Sequence, residues 1–281
     1  MSSKKEFAGL AGEYARWLRG AERSEATVEK YVRALCAYMT WLDGGSPSRE
    51  SAAAWREHLV ESGYAVSSVN AMVAAVNGYF RFAGAPEMQI KPLRMQRRMF
   101  REDRRELTNR EYERLVSAAG SLGRERLALV METVCAAGIR VGEVKYITVE
   151  AARSGRAEVR LKGKVRVILL PAKLSRKLLA YAKRHKITAG EVFVTRGGKS
   201  LSRKQIWAEM KSLCALAGVA ASKVFPHNLR HLFARTFYAA SRDVAKLADV
   251  LGHSSIETTR IYLISTGSEH IKALDRLNLV S

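Results

Sequence analysis

The stretch LGHSSIETTRIY, residues 251–262, combines a helix end, a histidine, a helix start and a tyrosine. Gly252 is placed to end one helix, and Ser254 opens the S-x-x-E pattern of a capping box for the next. His253 lies between the two helices, and Tyr262 follows it by nine positions. A tyrosine can act as a nucleophile that forms a covalent intermediate, but most tyrosines are half-buried packing residues. The role of Tyr262 therefore depends on the chain upstream.

A helix with polar residues at its start is predicted shortly upstream, in VFPHNLRHLFARTFY, residues 224–238. His227 and Arg230 are three positions apart, so they share one face near the helix start. Cations at a helix N-terminus oppose the helix dipole, and their presence there suggests a bound anion. His231 is predicted to point away from this pair and to be structural.

The segment AGIRVGEV, residues 137–144, places Arg140 directly after the helix-ending Gly138. At the start of a new helical turn, an arginine can point into a cleft beside exposed backbone amides, where a phosphate would bind. Glu143 is three residues further on and close enough to brace Arg140. Taken alone, the segment favours an ordinary surface arginine.

Between Lys145 and Pro171 the apolar period changes to two, which predicts strands. Residues 146–149 are predicted as one short strand, and the residues around Val159 and Val167 as two more, the last two joined by a tight Lys-Gly-Lys turn. The result is a small antiparallel sheet with lysine at its tip. Exposed hairpin lysines are common; the functional alternative is a mobile ammonium that reaches a bound polyanion and donates a proton.

The 281-residue chain is long enough for two ordinary domains. Its 48 Lys and Arg residues against 27 Asp and Glu give a net charge of +21, which points to a polyanion, most often nucleic acid. An anionic membrane surface is the rival, but no apolar run approaches the ~20 residues needed to cross a bilayer. Three distant cysteines, and an N-terminus that does not read as a signal peptide, favour a cytoplasmic protein.

Residues 1–90 are predicted to form an all-α domain of about four helices, because apolar residues recur at helical spacing. Residues 91–105, KPLRMQRRMFREDRR, carry seven basic and two acidic residues and predict a domain linker that crosses a nucleic-acid backbone. A solvated charge run is the alternative. The candidate DNA-binding residues of this segment are Lys91, Arg94, Arg97, Arg98, Arg101, Arg104 and Arg105.

The sequence carries no acidic pair at an obvious two-metal spacing, no metal-type His/Cys cluster, no serine elbow and no Gly-rich nucleotide loop. A set of basic residues and one tyrosine remains: Arg140, Lys162, His227, Arg230, His253 and Tyr262. Two arginines can clamp the non-bridging oxygens of a phosphodiester, and a lysine can protonate a departing 5′-oxygen. Histidines can hydrogen-bond phosphoryl oxygens or manage the tyrosine proton. Attack of a tyrosine on phosphorus needs neither metal nor ATP, so no cofactor is predicted.

The blocks AGIRVGE, KGKVRVILLP, HNLRH and LGHSSIETTRIY, in this order and spacing, resemble the tyrosine recombinase (phage integrase) family. The resemblance is strong over about residues 107–270 and weaker over 5–85, which look like the family's SAM-like core-binding domain. It implies that the basic residues of the set activate the phosphate and that Tyr262 is the nucleophile of a 3′-phosphotyrosine intermediate. Lys164 competes with Lys162 as the catalytic lysine, and Lys162 is favoured because the family lysine opens the turn.

The resemblance also implies a mainly α fold with a small antiparallel β-sheet. A helical core-binding domain (1–90) and the basic linker (91–105) would precede an α+β catalytic domain (106–281) with a C-terminal tail helix, as in the simpler Xer-type layout. The two domains would clamp duplex DNA, and a homo-tetramer would exchange strands through a four-way junction in integration, excision or dimer resolution; an accessory protein is compatible with this scheme. A type IB topoisomerase and a non-catalytic DNA-binding regulator are the alternatives.

Overall fold

The computed structural model describes residues 2–94, 106–161, 164–253, 255–260, 262 and 275. These residues are mainly helical and contain one two-stranded antiparallel sheet, which confirms the predicted fold class. The chain divides into two compact units, Met1–Arg97 and Arg98–Ser281. The division falls inside the 91–105 segment, whose role as a linker stays a prediction because residues 95–105 lie outside the described part of the chain. Within that described part, no helix is long and apolar enough to cross a membrane.

The described part of the N-terminal unit is built from four α-helices, in agreement with the helical periodicity of its sequence. They are α1 (Ser2–Gly20), α2 (Glu25–Leu42), α3 (Arg49–Glu61) and α4 (Val66–Phe82), followed by a 3₁₀ helix (Pro86–Met88). Their apolar faces meet in one core, in which Tyr14, Trp55 and Phe80 are at most 2% exposed. Gly78 lets α1 approach α4 closely, because a Cβ there would lie 2.4 Å from the Tyr14 hydroxyl oxygen.

Two asparagines of α4 attach the segment that follows the 3₁₀ helix. The Asn77 amide pairs with both the N–H and the C=O of Ile90, at 3.0 and 2.8 Å. Three residues after Ile90, the N–H and the C=O of Leu93 pair in the same way with the Asn70 amide, at 2.8 and 3.0 Å. The Lys91 carbonyl between them accepts from Arg56 Nη1 at 2.9 Å. The first residues of the predicted linker are therefore fixed to the N-terminal unit.

Helix α6 is central to the packing of the C-terminal unit. The described helices and strands of this unit are given next in chain order. They are α5 (Asn109–Ser121), α6 (Glu125–Ala137), a 3₁₀ helix (Val141–Tyr146), α7 (Val149–Ser154), β1 (Arg156–Leu161), β2 (Lys164–Leu169), α8 (Ala172–Arg184), α9 (Arg203–Lys211), α10 (Cys214–Ala217), a 3₁₀ helix (Ala221–Lys223), α11 (Pro226–Ser241), α12 (Val244–Leu251) and α13 (Ile256–Arg260). Leu127, Val130 and Val134 recur at helical spacing on α6, and all three are at most 2% exposed within one continuous core.

The sheet is a single hairpin rather than the three predicted strands. β1 and β2 are antiparallel, with Arg156 paired to Leu169 at one end and Leu161 paired to Lys164 at the other. The prediction of a strand at 146–149 is wrong: Thr148 forms only an isolated bridge with Glu191 and begins α7, where its Oγ1 accepts from the amide of Ala151 at 3.1 Å. An alternation of four residues is too short to outweigh such an N-cap.

The last described helices form a smaller apolar cluster beside the main core. It contains Ala234, Leu247, Leu251 and Tyr262. α12 ends at Gly252, as predicted, with a left-handed φ of 64°. Ser254 lies outside the described residues, so its capping role stays a prediction; at the start of α13, Ser255 Oγ accepts from the amide of Glu257 at 3.2 Å. The predicted C-terminal tail helix lies outside the described residues except for Asp275.

Candidate active site

Arg140 stands at the exit of α6, where the chain turns sharply. Gly138 has a φ of 60°, and a Cβ there would lie 2.4 Å from the Phe233 ring, so both the backbone and the packing require glycine. The Arg140 side chain is 46% exposed, and its Nη1 contacts Glu143 Oε1 at 3.0 Å. The other carboxylate oxygen accepts from the Arg140 amide at 2.8 Å. The predicted bracing of Arg140 by Glu143 is confirmed by these two contacts.

Glu143 holds a second arginine that the sequence analysis did not select. Its side chain is 3% exposed, and Arg166 Nη1 contacts both carboxylate oxygens, at 2.9 and 2.7 Å. Arg166 Nη2 donates to the Val250 carbonyl at 2.9 Å, which ties β2 to the last turn of α12. Burial is the largest influence on the pKa of Arg166 and lowers it. Glu143 acts in the opposite direction and Arg140 adds to the lowering, so that the net pKa lies below its ordinary value. In the sequence, Arg166 looks like one polar position of an alternating strand.

Arg230 is fully buried and is the centre of the site. Its Nη1 donates to the Gly138 carbonyl at 2.5 Å, and its Nη2 donates to the Leu251 carbonyl at 2.8 Å. Nη2 also contacts His253 Nε2 at 2.9 Å, and Nε donates to the Tyr262 hydroxyl at 3.3 Å. Burial and the neighbouring arginines lower its pKa to about 10, so Arg230 remains charged at neutral pH.

His253 is held between a guanidinium and a buried hydroxyl. An arginine only donates hydrogen bonds, so the Nε2 atom that faces Arg230 must be the acceptor, and Nδ1–H then donates to Thr259 Oγ1 at 2.8 Å. Burial first, then Arg230 and Arg140, lower the pKa of His253 to about 4. The imidazole is therefore neutral, and Thr259, which the sequence analysis did not select, fixes its tautomer.

Tyr262 is 5% exposed, and its ring is surrounded by three imidazoles. The ring centroids of His227, His231 and His253 lie 5.6, 4.4 and 5.4 Å from that of Tyr262. His231 also packs edge-on against His227, at 4.6 Å. The prediction that His231 points away from the His227–Arg230 pair is wrong, because residues four apart on a helix share a face.

A cavity of about 210 Å³ opens beside this cluster. Arg140, His227 and Arg230 line it, together with Arg203 and the backbone around Gly142. The structure thus brings five of the six predicted residues into one region. The sixth, Lys162, lies outside the described residues, and so do five of the predicted DNA-binding residues: Arg97, Arg98, Arg101, Arg104 and Arg105. Lys91 and Arg94 are described and exposed.

No group of three or more His, Cys, Asp or Glu side chains that could hold a metal ion occurs in the described part of the chain. A cluster of arginines and imidazoles around a phenol hydroxyl is instead suited to binding and attacking a phosphodiester.

Family models agree with both units. The phage integrase family matches residues 105–269, and the phage integrase N-terminal SAM-like domain matches residues 12–85. The chain therefore belongs to the phage integrase family. The tyrosine recombinase XerA of Thermococcus kodakarensis is 29% identical over 277 residues, covering 95% of each chain.

Solved structures share the fold. A lambda integrase (residues 75–356) dimer bound to a COC′ core site superposes with a TM-score of 0.71 at 19% identity, covering 91% of this chain and 94% of that one. A lambda integrase tetramer bound to a Holliday junction gives a TM-score of 0.66 at 20% identity, covering 91% and 76%.

Proposed function

We propose that this protein is a site-specific DNA recombinase that cleaves and rejoins duplex DNA through a 3′-phosphotyrosine on Tyr262. One observation carries the proposal: the buried guanidinium of Arg230 contacts the Tyr262 hydroxyl at 3.3 Å and His253 Nε2 at 2.9 Å. A nucleophile, a phosphate-binding cation and a neutral imidazole thus meet at one point. The curated relatives named tyrosine recombinases support the same activity.

In the proposed reaction, the phenol oxygen of Tyr262 forms a bond to phosphorus, and the bond from phosphorus to the 5′-oxygen breaks. Arg140 and Arg230 bind the non-bridging oxygens and stabilise the charge that grows on them. The positive charge of Arg230 acts strongly because this side chain is buried, where water screens little. Glu143 keeps Arg140 in place without facing the phosphate itself.

Proton transfer is assigned to the remaining groups. The imidazole of His253 is neutral and neighbours the phenol on the same guanidinium, so it is suited to orient the Tyr262 hydroxyl by a hydrogen bond, while the phenol proton passes to water. Lys162 would give a proton to the departing 5′-oxygen; that role rests on the family resemblance. Rejoining reverses these steps, with a 5′-hydroxyl of the partner strand as nucleophile. His227, exposed at the start of α11, would hydrogen-bond a phosphoryl oxygen.

The entering phosphate must compete for Arg230. In the free protein, Nε of this arginine already contacts the Tyr262 hydroxyl and Nη1 contacts the Gly138 carbonyl. Nη2 contacts both the Leu251 carbonyl and His253 Nε2. We propose that the phosphate displaces the phenol from Nε and that the phenol oxygen then faces phosphorus. The two backbone carbonyls continue to orient the guanidinium.

Duplex DNA is the proposed partner, and four copies of the chain are proposed to act on two sites. The tetramer of lambda integrase on a Holliday junction, which shares the fold, supports this assembly. Lys91 and Arg94, together with the predicted basic residues up to Arg105, would bind backbone phosphates. A cytoplasmic location is proposed with this action on DNA, and an accessory protein stays a prediction.

A covalent-trapping experiment tests the proposal. A binding selection from random duplexes first yields a recognised site, and a version nicked beside the cleavage point releases a short fragment so that the adduct accumulates. The wild type should form a phenol-extractable covalent complex, whereas Tyr262→Phe should bind equally and form none. Arg140→Ala and Arg230→Ala should lower cleavage by at least about 100-fold, the loss typical of a group that stabilises developing charge.

Two outcomes would favour the alternatives. Absence of any adduct on a tightly bound site would support a DNA-binding regulator. Relaxation of supercoiled plasmid that lacks the site, without joining of two marked duplexes, would support a type IB topoisomerase.

A further inference from the structure

Arg203 is a cation of the cavity that the proposed mechanism does not use. It is the first residue of α9, and its side chain reaches across to the 3₁₀ helix Val141–Tyr146. There it lies on Gly142: a Cβ built on that glycine would be 2.7 Å from Arg203 Nη2 and 2.9 Å from Nε. Gly142 has no left-handed φ, so a Cβ at this position would be compatible with the backbone but would displace the Arg203 guanidinium from its place.

The surroundings of Arg203 leave its charge available. Arg203 is exposed, and in the described part of the chain it has neither a hydrogen bond nor an ion pair with an acidic side chain. By contrast, Arg140 on the same cavity is braced by Glu143, whose carboxylate is already shared with Arg166. An unneutralised guanidinium at the wall of a cavity is a site for an anion.

The charge balance of the cavity indicates more than one phosphate. Arg140, Arg203 and Arg230 line it, and Glu143, buried behind Arg140, compensates only in part. One phosphodiester carries a single negative charge, which the proposed mechanism assigns to Arg140 and Arg230. We infer that Arg203 binds a second, non-reacting phosphate of the cleaved strand, adjacent to the one that Tyr262 attacks. This inference rests on the proposed function, because it takes DNA as the ligand.

In this role Arg203 positions the strand. Contacts to phosphates orient a protein on the duplex without reading its sequence. Holding the neighbouring phosphate fixes the reacting phosphorus against Tyr262, and a small displacement of reacting atoms is costly for the rate. Loss of Arg203 should therefore weaken binding equally on all base sequences and slow cleavage of the bound complex.

The test measures binding on a Tyr262→Phe background, so that it does not depend on cleavage. Arg203→Ala should weaken affinity several-fold and reduce the slope of log K against log[salt] by about 0.9, the value for one phosphate contact on B-DNA. Gly142→Ala, which keeps every charge but occupies the place of the guanidinium, should produce the same loss. The double variant should be no weaker than either single variant, because both remove one interaction. Arg176→Ala on α8, an exposed arginine that does not line the cavity, is the matched control and should leave the slope unchanged.

Neutral methylphosphonates, placed singly along the cleaved strand, then locate the contact. At one position next to the reacting phosphate, the substitution should weaken binding of the parent and leave Arg203→Ala unaffected. The inference is overturned if Arg203→Ala behaves as Arg176→Ala does, or if its loss is confined to particular base pairs, which would indicate a base contact. Thermal unfolding of Gly142→Ala shows whether that variant is folded. If it is not, the affinity and the salt slope of Arg203→Ala still test the inference. Adduct formation by the wild type on the same duplex reports separately on the proposed function.

Discussion

His253 shows how the position of one residue sets its protonation. Its ring lies between Arg230 Nη2 and Thr259 Oγ1, and burial together with the neighbouring guanidinium groups lowers its pKa to about 4. A neutral imidazole keeps an acceptor nitrogen for a hydrogen bond, whereas a charged one would be repelled by the two neighbouring arginines. The same residue in an exposed loop would titrate near pH 6.5.

The free energy of unfolding should therefore depend on His253 below neutral pH. The pKa of this group is lower in the folded than in the unfolded chain, so the unfolded chain binds more protons between about pH 4 and about pH 6.5. Its contribution to stability is complete above about pH 6.5 and is lost as the pH falls through that window, by at most about 1.4 kcal/mol per pH unit. Urea unfolding of the wild type and of His253→Gln across pH 4–7 measures the difference.

Gln retains an acceptor for Arg230 but does not titrate, so the stability of the wild type should fall relative to that of His253→Gln as the pH is lowered. Parallel curves for the two proteins would contradict the lowered pKa. An NMR titration of the His253 ring in the free protein provides a direct check, since the ring should stay neutral at pH 6.

At the scale of elements, three segments meet through one ion-pair network. Arg166 projects from β2, Glu143 lies in the 3₁₀ helix after Arg140, and the Val250 carbonyl belongs to the last turn of α12. Gly252 permits this meeting, because a Cβ there would lie 2.3 Å from Arg166 Cδ. The network holds α12, and with it His253, against the segment that carries Arg140.

Removal of Arg166 should cost much more stability than removal of a surface ion pair. Arg166→Met leaves the buried carboxylate of Glu143 with one arginine instead of two, and we expect a loss of about 2–4 kcal/mol. The control is Lys177→Met, which removes an ion pair between Glu132 and a half-exposed lysine and should cost less than about 1 kcal/mol. Urea unfolding at neutral pH compares the two variants.

A second substitution separates the charge effect from packing. Glu143→Leu combined with Arg166→Met removes both partners, and part of the stability should return because no uncompensated carboxylate stays buried. Equal losses for Arg166→Met and Lys177→Met would show that the network contributes no more than a surface contact.

At the scale of the whole molecule, charge is the dominant property. The net charge of +21 belongs to the entire chain, and Lys91 and Arg94 lie on and beside a segment that Asn70 and Asn77 attach to α4. Cations on an attached segment lose less conformational entropy on binding than cations on a free linker. They should therefore contribute measurably to DNA affinity.

Binding to DNA should weaken steeply with salt, and these two cations should account for a defined part of the slope. Lys91→Gln with Arg94→Gln should reduce the slope of log K against log[salt] by up to about 1.8, at about 0.9 per phosphate contact. The pair Arg153→Gln and Arg176→Gln, exposed on α7 and α8, removes the same charge elsewhere and should change it less. A flat salt dependence of the wild type would remove the basic-segment hypothesis altogether.

The spacing of residues along the chain predicts the helices, the hairpin, the family and most residues of the candidate site. Periodicity identifies the buried face of α6, glycines mark the ends of α6 and α12, and four ordered blocks contain Arg140, Arg230, His253 and Tyr262. These features depend on residues close together in the chain, where spacing defines geometry. The strand wrongly expected at 146–149 marks the limit, because an alternation so short is decided by the cap of the neighbouring helix.

Which of these residues touch, and what surrounds them, depends on tertiary packing and does not follow from spacing along the chain. Arg230 reaches the hydroxyl of Tyr262, 32 residues away, and the carbonyl of Gly138, 92 residues away, while Arg166 reaches Val250 across 84 residues. Periodicity indicates which face of a helix is polar, but it does not indicate which distant segment packs against that face. That packing also sets burial and neighbouring charge, and therefore the neutral state of His253 and the place of Arg203 on Gly142.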